Sequence, residues 1–332
     1  MRFPFALTYQ LSKYLVKKKL KGEKIFPLVL MLEPLHACNL ECIGCGRIRE
    51  YKDVINEKLT LEECLNAVDE CNAPVVSICG GEPLMYSQIG ELVEEIVKRK
   101  KHVYLCTNGI LLAKTLNKFK PSNYLSINIH IDGTKETHDL IVDKNGVYDK
   151  AIEAIKLAKN AGFLVCTNTT IYKETDINDT IRLFDVLDNL NIDGILVSPA
   201  YEYEVIPEKI FLNKQEIHDK FKIIDSYTKN YRFYSTPIYM KFLRGEKKLD
   251  CTPWGNVTRN VKGWKAPCYL ITDKHFNNFN AFTNEVQWDK YGPGRDPRCA
   301  NCMVHSGFEA SVALGKNNSF SEFLQLAKWN MF

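Results

Sequence analysis

The chain has 332 residues, of which 45% are hydrophobic and 25% charged, enough for one large globular domain or a domain with an appendage. The net charge of +4 is small and scattered, which argues against nucleic-acid binding. No stretch approaches the roughly 20 uninterrupted apolar residues of a membrane span, and the N-terminus lacks the pattern of a secretory signal peptide. We therefore expect a cytoplasmic protein whose 12 cysteines are thiols or metal ligands, not disulfides.

Residues 1–26 are predicted to form a basic amphipathic helix. Apolar residues recur near helical spacing at Leu7, Leu11, Tyr14, Leu15 and Leu20. Lysines cluster in the second half, at Lys13, Lys17, Lys18, Lys19 and Lys21. Such a helix could lie on an anionic membrane surface, as a peripheral contact at the inner face of the membrane. The alternative is a helix packed on the domain, with solvated lysines.

Residues 27–235 alternate between short apolar segments and longer helical stretches. Strands are predicted at 27–32, 74–79, 102–107, 124–131, 163–170 and 194–199. Helices are predicted between them, including one over 112–119, one that starts after Thr60 and one that Gly162 closes. Because the strands are almost continuously apolar, both sheet faces should be covered by helices. The pattern predicts an α/β fold, a partial (β/α)6 TIM-like barrel with its site at the carboxyl ends of the strands.

The alternation stops near residue 235. Residues 236–332 are predicted to form a small cysteine-rich C-terminal region, since they show little periodicity and carry four further cysteines.

Three cysteines, Cys38, Cys42 and Cys45, lie on one loop after the first predicted strand. Four thiolates close a [4Fe–4S] cube, so three leave one iron free to take another ligand. The alternatives are a zinc knuckle with His36 as its fourth ligand, or three unrelated buried thiols.

A second motif follows the second predicted strand. Gly80 and Gly81 allow a close approach of the backbone to a ligand, and Glu82 supplies an acceptor for a cation. A Gly-Gly turn alone would be unremarkable, but here it lies one βα unit after the three-cysteine loop.

With these two motifs the chain resembles the radical S-adenosylmethionine (SAM) enzymes. The resemblance implies that Cys38, Cys42 and Cys45 hold a [4Fe–4S] cluster whose open iron is chelated by SAM. It also implies that Gly80, Gly81 and Glu82 contact the methionine end of SAM. One departure is Gly44, where the family usually has an aromatic residue before the third cysteine.

Further blocks resemble one family of radical SAM enzymes, the adenosylhopane synthases (HpnH) of hopanoid biosynthesis. They include SINIHIDG, SPAYEYE, CTPWGNVTRNVKGWKAPCYL and WDKYGPGRDPRCANCMVHSGFEA. The resemblance implies addition of a 5′-deoxyadenosyl radical to the alkene of diploptene, with SAM as a substrate. It implies a hydrocarbon partner from the membrane and an electron donor such as flavodoxin or ferredoxin.

Cys106, at the end of the third predicted strand, is the candidate hydrogen-atom donor that quenches the product radical. The alternative is a small buried hydrophobe, which we expect for Cys64, Cys71, Cys79 and Cys166. Polar residues at later strand ends are candidates for binding SAM, namely His130, Asn168 and Ser198. The alternative for His130 is a core histidine whose hydrogen bonds are satisfied within the protein, and the alternative for Ser198 is a cap at the end of its strand.

Cys251, Cys268, Cys299 and Cys302 are predicted to form a second site. Their spacing resembles the SPASM and twitch auxiliary-cluster domains, which implies a second [4Fe–4S] cluster, although the full SPASM pattern needs further cysteines. Ser306 and Gly307 occupy the positions where a further cysteine of that pattern could have been. Zinc, or no metal, is the alternative. The competing functions are a SPASM/twitch enzyme that abstracts hydrogen from a peptide or other substrate, and a non-catalytic zinc or iron–sulfur binding protein.

Overall fold

The structure is a computed structural model that describes residues 2–207, 209–314 and 319–331. The strands are β1 (Val29–Leu32), β2 (Val75–Ile78), β3 (His102–Thr107), β4 (Leu125–His130), β5 (Leu164–Ile171), β6 (Gly194–Pro199), β7 (Asn256–Asn260), β8 (Gly263–Pro267) and β9 (Thr272–Phe276). The α-helices are α1 (Phe5–Leu20), α2 (Arg47–Glu50), α3 (Leu61–Cys71), α4 (Ile89–Lys98), α5 (Leu112–Thr115), α6 (Lys135–Ile141), α7 (Val147–Asn160), α8 (Ile177–Asn189), α9 (Lys214–Ser226), α10 (Pro237–Leu243), α11 (Phe279–Glu285), α12 (His305–Leu314) and α13 (Phe320–Met331).

The predicted α/β fold with a parallel sheet is confirmed. All six predicted strands are present, and β1 to β6 pair in sequence order with every pair parallel. Their helix-facing residues, such as Leu30, Val103 and Ile127, are fully buried in one hydrophobic core. Because parallel strands end at the same edge, the loops after β1 to β6 gather on one side of the sheet.

The C-terminal region does not stand apart from this sheet, a relationship that the sequence did not reveal. Strand β7 pairs in parallel with β1, and β8 and β9 continue as antiparallel neighbours. Within the residues that the structure describes, the sheet therefore has nine strands in the order β6-β5-β4-β3-β2-β1-β7-β8-β9. Because β8 runs antiparallel to β7, Cys268 follows at the edge where β1 begins, and the next residue, Tyr269, accepts a hydrogen bond from Arg47, which follows the three-cysteine loop. The boundary at residue 235 stays a prediction.

Helix boundaries follow local capping. Thr60 forms a capping box with Glu63 at the start of α3, and α7 ends two residues before Gly162, which has φ +83°. The predicted helix over 112–119 is instead α5 followed by a 3₁₀ turn, Leu116–Lys118. There the Thr115 hydroxyl donates to the Leu111 carbonyl oxygen 2.9 Å away, a bond that competes with regular helix geometry.

Helix α1 packs on the domain through one side. Leu11, Tyr14 and Leu15 contact a small cluster formed by Phe26, Leu28 and Ala310. The Tyr14 hydroxyl donates to the Pro27 carbonyl oxygen at 2.8 Å. Over the described part of the chain, none of the helices is long and apolar enough to cross a membrane.

Candidate functional site

The three-cysteine loop follows β1 and is held by contacts from its own chain. The Arg49 guanidinium donates to the carbonyl oxygens of Cys42 and Cys45 at 3.0 and 2.7 Å. The amide of Ile43 donates to the Ile141 carbonyl oxygen at 3.0 Å, which fixes the loop to the end of α6. Arg49 was not predicted, although its place four residues after Cys45 on a short helix was a signal.

The chemistry of the three thiols fits an iron site. Cys38, Cys42 and Cys45 are all partly exposed and free of disulfides. Burial first, and then the charges of Cys45 and Cys38, raise the pKa of Cys42 well above its usual value. Three thiolates on one short loop are a donor set that suits iron. These residues would hold the [4Fe–4S] cluster that the sequence predicts.

The two glycines after β2 approach the chain's own backbone. A Cβ on Gly81 would lie 2.0 Å from the Ala37 carbonyl oxygen, and one on Gly80 would lie 2.4 Å from that of Leu35. The amide of Gly81 donates to the Leu35 carbonyl oxygen at 3.0 Å. The physical reason for both glycines in this structure is therefore close packing against the segment that enters the cysteine loop. Their contact with SAM stays a prediction.

Glu82 is 1% exposed, and its carboxylate accepts three hydrogen bonds from the chain. The donors are the amides of Leu84 and Asn108, at 3.0 and 2.9 Å, and the Thr107 hydroxyl at 2.8 Å. Burial raises the pKa of Glu82, and these hydrogen bonds offset part of that effect. The carboxylate thus joins the ends of β2 and β3. Its predicted contact with the methionine end of SAM is untested.

Gly44 and Gly46 each make room for an aromatic ring. A Cβ on Gly44 would come within 2.4 Å of the Tyr172 hydroxyl oxygen, and one on Gly46 would meet the Tyr203 ring at the same distance. Tyr172 follows β5 and Tyr203 follows β6, so the third cysteine is flanked by rings from two distant loops. The sequence analysis did not predict either tyrosine, because no residue near the cysteine loop in the sequence indicates a contact with them.

Cys106 lies on the face of the sheet opposite the helices, which we call the inner face. Its Sγ lies 3.3 Å from Ser77 Oγ, and Asn128 Nδ2 donates to it at 3.6 Å. Cys106 pairs in register with Asn128 across β3 and β4, and Asn128 pairs with Cys166 across β5. The buried Asn128 Oδ1 has no hydrogen-bond partner among the described residues.

The other strand-end candidates share the inner face but differ in their environments. His130 pairs in register with Asn168, and Thr170 pairs with Ser198. His130 Nε2 lies 2.7 Å from the fully buried Asp132 carboxylate. Burial lowers the pKa of His130, but the charge and hydrogen bond of Asp132 outweigh burial, so the net pKa is raised. Ser198 is 4% exposed, and its hydroxyl donates to the Pro199 carbonyl oxygen.

The four C-terminal cysteines converge. Cys251, Cys268, Cys299 and Cys302 line one cavity together with Ser306 and Gly307. The amide of Ile271 donates to Cys268 Sγ at 3.4 Å, a bond of the kind that tunes cluster sulfurs. In residues 2–207, 209–314 and 319–331, no group of three or more Cys, His, Asp or Glu side chains is arranged to hold a single metal ion. A four-iron cube is larger than one ion, so its ligands stand further apart.

A buried charged group lies between the two cysteine sites. Arg47, two residues after Cys45, pairs with Glu33 at 3.1 Å, and the side chains are 5% and 0% exposed. The same guanidinium lies 4.1 Å from the ring centre of Tyr269 and donates to the Tyr269 carbonyl oxygen. The ammonium of Lys265 is fully buried and also donates to that oxygen, at 2.9 Å. The chain next to Cys45 is thereby fixed to the chain next to Cys268.

Two aromatic residues make a second bridge. Tyr203 lies against the Gly46 backbone, and Tyr201 borders the cavity of the four C-terminal cysteines. Their ring centres are 5.0 Å apart. The sequence analysis noted this YEYE segment only for its resemblance to the adenosylhopane synthases and predicted no role for either ring.

Two family models match the chain. Residues 32–187 match the Radical SAM superfamily, and residues 195–326 match a domain of unknown function (DUF3463). An Fe-coproporphyrin III synthase from Methanosarcina barkeri is 27% identical over 189 residues, 55% of this chain and 47% of that protein. The mycofactocin maturase MftC from Mycolicibacterium smegmatis is 32% identical over 142 residues, 41% of this chain and 36% of that protein.

The chain therefore spans about half the length, or less, of these curated relatives.

Among solved structures, Streptococcus suis SuiB bound to the precursor peptide SuiA is similar, with a TM-score of 0.68 and 16% identity. The alignment covers 94% of this chain and 76% of SuiB. At this identity the likeness concerns the fold. It extends over both the parallel sheet and the C-terminal strands.

Proposed function

The chain carries a radical SAM superfamily domain in residues 32–187, and from that premise we propose that the protein is an adenosylhopane synthase. A reduced [4Fe–4S] cluster held by Cys38, Cys42 and Cys45 would supply one electron to the sulfur–carbon bond of bound SAM, giving methionine and a 5′-deoxyadenosyl radical. In the proposed reaction that radical forms a carbon–carbon bond with the alkene of diploptene. One unpaired electron is left on a carbon of the hydrocarbon, and the protein must remove it.

The observation that carries the proposal is the position of Cys106. It is a thiol on the inner face, partly exposed and separate from both groups of clustered cysteines. Burial raises the pKa of Cys106, and the hydrogen bonds from Ser77 and Asn128 only partly oppose that shift. The sulfur is therefore protonated at neutral pH, and an S–H bond is the form that can give up a hydrogen atom.

The quenching step can be written so that it balances. The S–H bond of Cys106 breaks, a C–H bond forms on the product, and a thiyl radical remains on sulfur. One electron and one proton restore the thiol. We assign the electron to the external donor of the flavodoxin or ferredoxin class that also primes the enzyme.

The four C-terminal cysteines support a second route for that electron. We propose that they hold an auxiliary [4Fe–4S] cluster, because their thiols line one cavity and Ile271 donates a hydrogen bond to one of the sulfurs. Residues Arg47 and Tyr269 would keep this second site in a fixed position relative to the first.

The test is an anaerobic incubation of the reconstituted protein with SAM, a reductant and diploptene. We expect a hydrocarbon product whose mass is increased by one 5′-deoxyadenosyl group and one hydrogen. Release of 5′-deoxyadenosine with unchanged diploptene would contradict the proposal. The matched control is Cys42→Ala, which removes one predicted cluster ligand and should abolish both products.

One observation favours a second candidate, a SPASM/twitch-type enzyme that abstracts hydrogen from a peptide or another polar substrate. A cavity of about 290 Å³ lies between the loop after β6 and the segment around Cys302. Its lining includes Glu202, Glu204, Arg298 and Asn301, which suit a polar ligand better than a hydrocarbon. Consumption of SAM that is coupled to an added peptide, and not to diploptene, would favour this candidate.

A further inference from the structure

Helix α1 has two apolar sides, and the domain covers only one of them. Leu7, Leu11 and Tyr14 lie on the covered side. Opposite them, Phe5, Tyr9, Val16 and Leu20 are 70%, 57%, 57% and 84% exposed. These four residues are spaced by four, seven and four positions, so they share one side of the helix. We call this set the outer stripe.

The outer stripe is continuous in space at its start. The rings of Phe5 and Tyr9 are stacked, with centres 6.2 Å apart and planes 16° apart. The end of α13 lies beside them, because the Asn330 side chain accepts from the Phe3 amide at 3.2 Å and donates to the Thr8 hydroxyl at 3.1 Å. Met331, which is 55% exposed, follows Asn330 and extends the apolar surface.

The charges around the outer stripe are all of one sign. Helix α1 contains no acidic residue. At 100° per residue, Lys13 and Lys17 fall on one flank of the stripe and Lys19 on the other. These three lysines are exposed, and within the described ranges none of them forms an ion pair with a carboxylate.

We propose that the outer stripe of α1 binds the surface of a bilayer that contains anionic lipid, with the helix lying in the plane of the membrane. The charge pattern decides between possible occupants, because a protein partner or a second copy of this chain would not by itself require lysines on both flanks of an apolar stripe. An anionic bilayer matches both features, since headgroups pair with the lysines and the acyl boundary accepts the apolar side chains. The inference rests on α1 alone and holds whether or not the proposed reaction is correct.

The inner side of α1 explains how such contact would reach the rest of the protein. Leu11, Tyr14 and Leu15 fix the helix to Phe26 and Leu28, which lead directly into β1. The three-cysteine loop follows β1. A bilayer bound to α1 would therefore hold the domain in one orientation relative to the membrane, because α1 packs directly on the residues that precede β1.

The experiment is sedimentation of the full-length, cluster-loaded protein with vesicles of phosphatidylcholine alone or mixed with phosphatidylglycerol. We expect binding to the anionic vesicles that weakens with salt. Because the stripe would lose two of its apolar side chains, the pair Val16→Gln and Leu20→Gln should lower the affinity for anionic vesicles at least tenfold. Lys13→Gln with Lys17→Gln should weaken binding to anionic vesicles and leave the low signal with phosphatidylcholine unchanged.

The matched control is Ile223→Gln, since Ile223 is 50% exposed on α9, away from α1. It should bind as the unmodified protein does. Equal binding of the Val16→Gln, Leu20→Gln protein and the unmodified protein would overturn the proposal. So would a vesicle-independent dimer that the same substitutions abolish, because the stripe would then be an interface between copies of this chain. Turnover of SAM without vesicles should be unchanged in the stripe variant, which separates this test from that of the proposed function.

Discussion

The sulfur of Cys106 and the hydroxyl oxygen of Ser77 lie 3.3 Å apart on adjacent parallel strands. The contact joins a thiol to a polar partner on the inner face, where the opposite faces of both strands are packed with aliphatic side chains. Asn128, in register with Cys106 on β4, completes a group of three. Ser77 and Asn128 are positioning residues in our account, since they contact Cys106.

The first prediction concerns this group. Cys106→Ala should still cleave SAM but lose the adenosyl adduct at least tenfold, because the product radical is no longer quenched. Ser77→Ala should lower adduct formation roughly threefold to fivefold, the effect of one hydrogen bond of about 1 kcal/mol. Product analysis by mass spectrometry checks both. Cys166→Ala is the control, since Cys166 is a fully buried thiol in the same row of the sheet. Normal adduct formation by Cys106→Ala would remove the thiol from the reaction.

The second prediction concerns the glycine turn. Gly81→Ala should reduce the iron retained after anaerobic reconstitution, because the new Cβ would lie 2.0 Å from the Ala37 carbonyl oxygen and displace the segment entering the cysteine loop. Gly162→Ala is the control, since its Cβ would meet nothing within 4 Å and only its φ of +83° is unfavourable. We expect the control to keep its iron and lose about 1–2 kcal/mol of stability. Full iron content in Gly81→Ala would show that the turn tolerates a side chain.

The third prediction concerns the buried ion pair. Arg47→Leu should destabilise the fold by roughly 3–5 kcal/mol, because it leaves the fully buried Glu33 carboxylate without its partner. The double variant Glu33→Gln, Arg47→Leu should recover much of that loss. Arg182→Leu, which removes a 60% exposed guanidinium from Asp179, whose carboxylate keeps two hydrogen bonds from Thr134, should cost about 1 kcal/mol or less. Urea unfolding followed by circular dichroism measures all three, and equal losses for the Arg47 and Arg182 variants would contradict the prediction.

The fourth prediction concerns pH. Burial raises the pKa of Glu309 from 4.5 to about 7, while its carboxylate accepts hydrogen bonds from the Thr236 amide and hydroxyl, each at 2.8 Å. The folded protein therefore binds this proton more tightly than the unfolded chain does. The contribution of Glu309 to stability is greatest below pH 4.5 and declines as the pH rises to about 7.

Comparison with Glu309→Gln isolates that contribution. The difference in melting temperature between the unmodified protein and this variant should shift in favour of the variant as the pH rises from 4.5 to about 7. A difference that does not change with pH, or that moves in favour of the unmodified protein, would contradict the assignment.

The fifth prediction concerns the second cysteine group. Iron and sulfide analysis of the reconstituted protein should give about eight iron atoms per chain. Cys268→Ser should lower the count to about four, because it removes one ligand of the auxiliary cluster only. Cys71→Ser, on α3, is the control and should leave the count unchanged. About four iron atoms in the unmodified protein, together with bound zinc, would contradict the auxiliary cluster.

Much of the parallel sheet could be predicted because each strand is a short apolar run that carries its own signal. Thr60, Glu63 and Gly162 marked helix ends through interactions within a few residues of themselves. The three-cysteine loop and the Gly-Gly-Glu turn were equally local, so their placement on adjacent strand ends followed from the fold class.

Contacts between distant segments could not be predicted. The pairing of β7 with β1 joins residues more than 220 positions apart, and no local pattern in Asn256–Asn260 requires it. Tyr172 and Tyr203 likewise reach the cysteine loop from the distant loops after β5 and β6. The role of Gly81 was interpreted through a ligand, whereas in the structure the nearest atoms to its missing Cβ belong to the backbone of His36 and Ala37.

The most direct test of the central claim uses SAM labelled with carbon-13 at the 5′ position of the adenosyl group. After anaerobic turnover with diploptene, we predict that the label appears in the hydrocarbon product, on the carbon of the new carbon–carbon bond, with one label per product molecule. If all of the label is recovered in 5′-deoxyadenosine and none in the hydrocarbon, the protein is not an adenosylhopane synthase.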